Sequence, residues 1–357
     1  MGRLAAICAV IGILGVLPIA GIPLRLGKGL LGEWALAVLA TWLLPNRWLR
    51  AAVWWALIGV ILKPNQPAFV AFHLLVLGCL SIATLSQLSL NQLSTLCRTL
   101  RWIALIQMGW MLVQGAGMDR FFQAVEGVPS TIMVGLMDNT THAGAVLAIL
   151  SPLFCTGWWW LWVPLVAFLT FSTGSEGAML VLVLVLAWQW WRAVDQSKRA
   201  ELVLCVFVPG LVAVGMLVGQ KILHELLVRG LVWARALELT LFTWWTTIFG
   251  WGIGQFKPAF RGIMKQDPAM AGLEWTSAHN EYIEALFCFG IVGAVLWLGF
   301  IWSVLERLPK VSPVYPMLVA WLLVAAFQPA LHISPLGVLG VLLAGSAMAV
   351  SRHERCR

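Results

Sequence analysis

Apolar runs close to twenty residues long follow one another along almost the whole chain, and this recurrence restricts the fold more than any motif does. A helix needs about 20 mainly apolar residues to cross the hydrocarbon core of a bilayer. Inside that core a segment must satisfy its own backbone N–H and C=O groups, which a helix does. Spans are predicted near 4–22, 30–45, 49–63, 67–87, 99–117, 139–156, 158–173, 176–192, 200–219, 281–304, 313–331 and 334–350. The linkers are mostly short, so residues 1–357 read as a single transmembrane domain. The expected fold is an all-α polytopic membrane protein of about 12 transmembrane helices. One linker differs: residues 220–280 form a long loop. Charged residues are 11% of the chain, against roughly 25% in soluble domains, which argues against a separate water-soluble module. Residues 1–22 have the apolar centre of a signal peptide, but no A-x-A pattern follows and further spans do, so they are read as the first helix.

The formal net charge of +8 is distributed as in a membrane protein. With a cytoplasmic N-terminus, the inside segments hold Arg3, Arg47, Arg50, Arg98, Arg101, Arg192, Lys198, Arg199, Arg307, Lys310, Arg352, Arg355 and Arg357. The short outside loops hold only Arg25, Lys28, Lys63 and Arg120. Positive residues in short cytoplasmic loops set orientation, so both termini are expected in the cytoplasm, with the 220–280 loop outside. Long translocated loops escape that rule, so the six cations of this loop need another explanation: Lys221, Arg229, Arg235, Lys257, Arg261 and Lys265. Trp42, Trp48, Trp102, Trp158 to Trp160, Trp188, Trp190, Trp191 and Trp302 fall at predicted cytoplasmic ends of spans. They read as an interfacial belt, and nucleic acid is not an expected partner. The seven cysteines show no CxxC spacing and imply neither a disulfide framework nor a zinc site.

Polar groups that survive in or beside apolar spans are functional candidates. Three such segments open to the outside under this topology. Gly135-Leu-Met-Asp-Asn-Thr-Thr-His142 leads into the sixth span and carries Asn139. Ser172-Thr-Gly-Ser-Glu-Gly177 is a tight turn before the eighth span and carries Glu176. The long loop closes with Ser277-Ala-His-Asn-Glu-Tyr-Ile-Glu284. Within that loop, residues 229–247 place Arg229, Trp233 and Leu237 at helical spacing and predict an amphipathic helix lying along the interface. Gly250-Trp-Gly-Ile-Gly254 follows; Gly252 and Gly254 can bring amides against a phosphate, but a GxGxG outside a strand–helix unit reads first as a structural turn.

Ser277 is a suitable N-cap, which places His279 in the first turn of the tenth span. The positive helix end disfavours imidazolium, so His279 is expected as a neutral base at pH 7. Arg229, Arg235 and Lys221 share its loop, and arginine forks suit a diphosphate. Glu281 and Glu284 are candidates to orient His279, to act as the base themselves, or to stand solvated. His142, His224 and His332 lack metal-ligand spacing, so no metal is expected. His73 lies mid-span and reads as hydrogen-bonded to a neighbouring helix, and Glu33 and Gln107 read as packing or path residues.

These segments resemble, in order, the motifs of the O-antigen ligase and O-antigen polymerase superfamily. Ala278-His-Asn-Glu-Tyr-Ile-Glu-Ala-Leu-Phe-Cys-Phe-Gly-Ile-Val-Gly293 is similar to its His-Asn-x-x-Leu…Gly-x-x-Gly segment. Arg229-Gly-Leu-Val-Trp233 with Phe249-Gly-Trp-Gly-Ile-Gly254 resembles its Arg-x-x-x-Trp…Phe-Gly-x-Gly pattern. Gly135 through Pro152 resembles its Gly-x-x-x-Asn…Pro helix start, and Ser175-Glu-Gly-Ala178 its Ser-Arg-Gly-Ala turn. The resemblance implies a C-type glycosyltransferase-like bundle with one long periplasmic loop. It implies a glycan donor on undecaprenyl diphosphate, diphosphate contact by Arg229, base work by His279, and supporting positions at Asn139 and Asn280. The chain departs from the pattern at Glu176, where an arginine is usual, so Arg235, Lys221, Arg25 or Lys28 would have to supply the second phosphate contact. It departs also at Phe289, where a Glu is common, and at Thr140 and Thr141.

The implied chemistry is self-consistent. A lipid diphosphate is already a good leaving group that cations can stabilise as it departs. A base then removes the acceptor proton, and one displacement inverts the anomeric carbon without cofactor or metal. The expected activity is transfer to an acceptor hydroxyl, with lipid A-core as acceptor for a ligase. The alternatives are a polymerase joining lipid-linked repeats, a protein O-oligosaccharyltransferase, and a lipid-linked glycan transporter or flippase. Transporters place charges and broken helices at mid-membrane, whereas here they gather at one face, which favours the enzyme.

Overall fold

Runs of Leu, Val, Ala and Ile, punctuated by Gly, Pro and small polar residues, fold as helices. The computed structural model describes residues 37, 44, 46–62, 66–118, 133–137, 139–194, 227–264, 277–331 and 334–355. In chain order the helices are α1 (Arg47–Leu62), α2 (Gln66–Leu85), α3 (Leu90–Gly115), α4 (Thr140–Leu150), α5 (Val163–Ser172), α6 (Glu176–Ala193), α7 (227–241), α8 (Trp244–Phe249), α9 (Phe256–Met264), α10 (Glu281–Leu305), α11 (Val314–Ala325) and α12 (Ser334–Arg355). No strand occurs among the described residues. The predicted spans 4–22 and 200–219 lie outside them, and 30–45 almost entirely so. α3 begins nearer the N-terminus than the predicted 99–117 because Ser89 and Gln92 close a capping box ahead of its apolar part.

Glu281–Leu305 and Pro335–Arg355 are long and apolar enough to cross a membrane. α10 leaves Ile291, Val295, Leu298 and Trp302 exposed, a stripe at helical spacing. Val70, Leu74 and Leu77 of α2 and Trp102, Ile103, Ile106 and Trp110 of α3 are exposed as well. Apolar surface on this scale suits lipid and is unfavourable in water, which marks the chain as membrane-associated.

The chain forms two compact units, Met1–Gln87 with Gly230–Arg307 and Leu88–Arg229 with Leu308–Arg357. In the first, the organising feature is a break in α10. Gly290 adopts φ 65°, ψ −170°, so the carbonyls before it lose their helical partners. All three are re-satisfied: Trp251 N–H donates to Phe287 O at 2.8 Å, Gly252 N–H to Cys288 O at 2.9 Å, and the Trp55 indole to Phe289 O at 2.9 Å. Cys288 is buried within this clamp, and Gln255 N–H donates to Gly252 O at 3.2 Å. A Cβ on Gly290 would stand 2.2 Å from Ile248 O, and one on Gly250 2.5 Å from the Cys288 backbone. Glycine is thus required at both places. Gly290→Ala is expected to lower stability by roughly 1–3 kcal/mol, through an alanine forced to positive φ as well as the clash. A thermal midpoint matching wild type in the same detergent would show that the clamp is not needed. Around it Val232, Ala236, Phe256, Phe260, Ala278 and Phe287 form a buried apolar cluster that joins α7, α9 and the start of α10.

In the second unit α4 is buried along Ala143–Leu150 and packs against α5, α6 and α11. Gly144 allows the approach, since a Cβ there would lie 2.5 Å from Thr173 Oγ1. Gln107 and Gln114, seven residues apart on one face of α3, hold residues 133–137. Gln107 donates to Val134 O and accepts from Leu136 N–H, and Gln114 pairs in the same way with Gly135. Gln107 is therefore a packing residue.

Candidate functional site

The His279 turn is built by α7 and α10 of the first unit. Asn280, not Ser277, is the N-cap of α10, and its Oδ1 accepts from Tyr282 N–H at 3.0 Å and Ile283 N–H at 3.1 Å. This corrects the expected register: His279 precedes the helix and is not in its first turn. Asparagine wins because its carbonyl reaches two orphan amides at once, whereas Ser277 Oγ accepts only at 3.4 Å from His279 N–H. His279 takes φ 52°, the left-handed region that a side chain other than glycine adopts at a cost of about 1–2 kcal/mol. The peptide before it is fixed on both sides. Trp233 Nε1 donates to Ala278 O at 2.8 Å, and Glu284 Oε2 accepts from Ala278 N–H at 3.0 Å. Glu281 and Glu284 are 5% and 6% exposed, so neither stands solvated. Glu284 orients the turn through the backbone.

The predicted continuous helix 229–247 is two helices. α7 ends at 241, and Thr243 opens α8 with a capping box to Thr246, because a threonine oxygen in extended backbone competes with the helical ladder. Leu241, Phe242 and Trp244 at this break are exposed apolar side chains. Arg235 pairs with Glu238 at 2.6 Å on the solvent side of α7, which gives it a partner other than a phosphate. The glycine turn is a structural clamp. Gly252 N–H is taken up by Cys288 O, so it is not left to cradle a phosphate.

Arg229 lies with the second unit. It lines a polar pocket of about 260 Å³ with Thr140, Thr141, Thr173, Gly174, Ser175, Glu176, Gly177 and Gln328. The Thr173–Gly174 turn, with Gly174 at φ 66°, carries the chain from α5 into α6 and sets Glu176 at the head of α6. Asn139 caps α4 through Thr141 N–H at 2.7 Å, which brings Thr140 and Thr141 to the rim. Arg229 Nη1 donates to Phe327 O at 2.6 Å, just past the end of α11. Sequence reasoning misses Gln328. It is 3% exposed, its amide nitrogen lies 3.5 Å from Thr141 O and from Ser175 Oγ, and its Oε1 is buried without a hydrogen-bond partner. Its signal in the sequence is a lone amide closing an apolar span. Arg229 and Glu176 cancel in formal charge, so the pocket is polar and hydroxyl-rich, and not strongly cationic.

Lys221, His224, Asp138, His332, Arg25 and Lys28 lie outside the described residues. Among those described, no three His, Cys, Asp or Glu side chains gather as a metal site requires. No protein-family model matches the chain, and no curated protein matches it.

Proposed function

We propose that the protein transfers a glycan from undecaprenyl diphosphate to an acceptor hydroxyl at the periplasmic face, as an O-antigen ligase whose acceptor is lipid A-core. The observation that carries the reading is His279. It is a half-buried imidazole held at positive φ, at the head of an apolar helix, with the preceding peptide clamped by Trp233 and Glu284. Strain of this kind is retained where surrounding contacts over-determine it, and functional turns are where it concentrates. His279 accepts the acceptor proton and Arg229 stabilises the departing diphosphate, the roles that the resemblance implies for each. Glu281 and Glu284 serve His279 by position. The bundle has about 12 spans, with both termini cytoplasmic and the 220–280 loop periplasmic.

Two experiments test this. Purified protein given undecaprenyl-diphosphate-linked glycan and lipid A-core is expected to release undecaprenyl diphosphate and extend the acceptor. Extension of a second lipid-linked repeat alone makes it a polymerase, and extension of a protein hydroxyl alone an oligosaccharyltransferase. No release with any acceptor ends the reading. For topology, cysteine at Gln266 is expected to react with a membrane-impermeant thiol reagent in intact spheroplasts. Labelling only after lysis would place the loop, and the proposed chemistry with it, on the wrong face.

A further inference from the structure

The first unit holds a second polar cavity, of about 330 Å³, lined by Asn46, Arg47, Trp48, Arg50, Ser303 and Arg307. Among the described residues, three guanidinium groups and no carboxylate line it. Its walls are fixed. Asn46 Nδ2 donates to the buried Ser303 Oγ at 3.0 Å, tying the head of α1 to the tail of α10. The Trp48 ring lies over Gly299, where a Cβ would meet it at 2.8 Å, and the Arg47 guanidinium sits 5.4 Å from that ring. Asn46 Oδ1 already caps the first amides of α1, accepting from Trp48 N–H at 2.8 Å, so a ligand here meets guanidinium groups first. Arg50 Nε is buried and has no hydrogen-bond partner. A buried charged donor left unmet is costly, and an acceptor in the cavity would satisfy it.

We infer that this cavity binds a phosphate group, supplied by the headgroup of an anionic membrane lipid. Forked guanidiniums chelate phosphate oxygens, and a neutral zwitterionic headgroup would bring its own cation among three arginines. The cavity lies at the opposite end of α10, a 25-residue helix, from His279. It is therefore separate from the proposed chemistry and does not depend on it. With α10 crossing the bilayer, the two lie at opposite faces, and basic pockets at helix ends on the cytoplasmic face bind anionic headgroups.

The test uses the purified full chain in detergent, with bound lipid counted by native mass spectrometry. Wild type is expected to retain one phosphatidylglycerol per chain and to release phosphatidylcholine. The double variant Arg50→Gln, Arg307→Gln is expected to lose affinity for phosphatidylglycerol by about thirtyfold. Excess inorganic phosphate that displaces the lipid from wild type, and itself fails to bind the double variant, supports the site and names a free phosphate compound as its source. Equal retention of both lipids by wild type, or equal phosphatidylglycerol retention by wild type and variant, overturns the proposal. If the double variant does not fold, Arg47→Gln at an exposed position decides: a loss of about fivefold supports the site, and no loss overturns it.

Discussion

Arg229→Ala is expected to lower transfer by about 10²–10³-fold, the loss that removing one donor from a developing oxyanion produces. Arg229→Lys is expected to recover little of it. One arm of the guanidinium is engaged by Phe327 O at 2.6 Å. A lysine has a single ammonium and cannot hold the carbonyl and chelate a diphosphate together. The competing role is structural, because a cation beyond the end of α11 also favours that helix end. The two roles separate by measurement. If Arg229 only caps the helix, Arg229→Ala lowers the thermal midpoint and leaves donor affinity unchanged. If it grips phosphate, the same substitution lowers affinity for the lipid-linked donor directly. Activity at wild-type level in the lysine variant would reduce Arg229 to generic electrostatics. Glu176 shares the pocket, so Glu176→Arg adds a cation where the resembled family carries one. Unchanged or raised activity would show that Glu176 does not itself substitute for that arginine.

His279→Ala is expected to lower turnover by about 10²–10⁴-fold, the range for removal of a general base. Binding of the lipid-linked donor is expected to survive. Activity of the wild type is expected to fall at acid pH, because a base acts only in its unprotonated form. His279→Ala is expected to lose that limb of the profile, which a merely structural histidine would not control. Glu284→Gln keeps an oxygen able to accept from Ala278 N–H, so it is expected to retain most activity, while Glu284→Ala releases the turn. Near-normal turnover in His279→Ala together with an inactive Glu281→Gln or Glu284→Gln would assign the base to a carboxylate.

Much of the architecture was legible along the chain. Apolar run length alone predicted an all-helical molecule, because a helix is the one way for such a run to satisfy its own amides away from water. The turn at Thr173–Gly174 and the helix start at Asn139 were visible as short polar interruptions, since small polar residues cap helices locally. What the chain alone could not give were contacts made across it. Asn280 displaced Ser277 as the cap because it satisfies two amides, a matter of geometry. Arg235, one of three diphosphate candidates by sequence, met Glu238 instead, one turn along its own helix. The glycine turn read first as a structural turn, but its partners, the carbonyls of Phe287 and Cys288 freed by the break at Gly290, were not visible along the chain. Gln328 and Arg50 carried no motif, and only packing left a buried polar atom of each unmet. Local backbone chemistry is written in neighbouring residues, so sequence determined where most helices form, while the break at Thr243 went unread in it. Which polar atoms are satisfied, and which remain open to a ligand, depends on residues up to 257 positions apart, as with Asn46 and Ser303, and only the tertiary structure decided that.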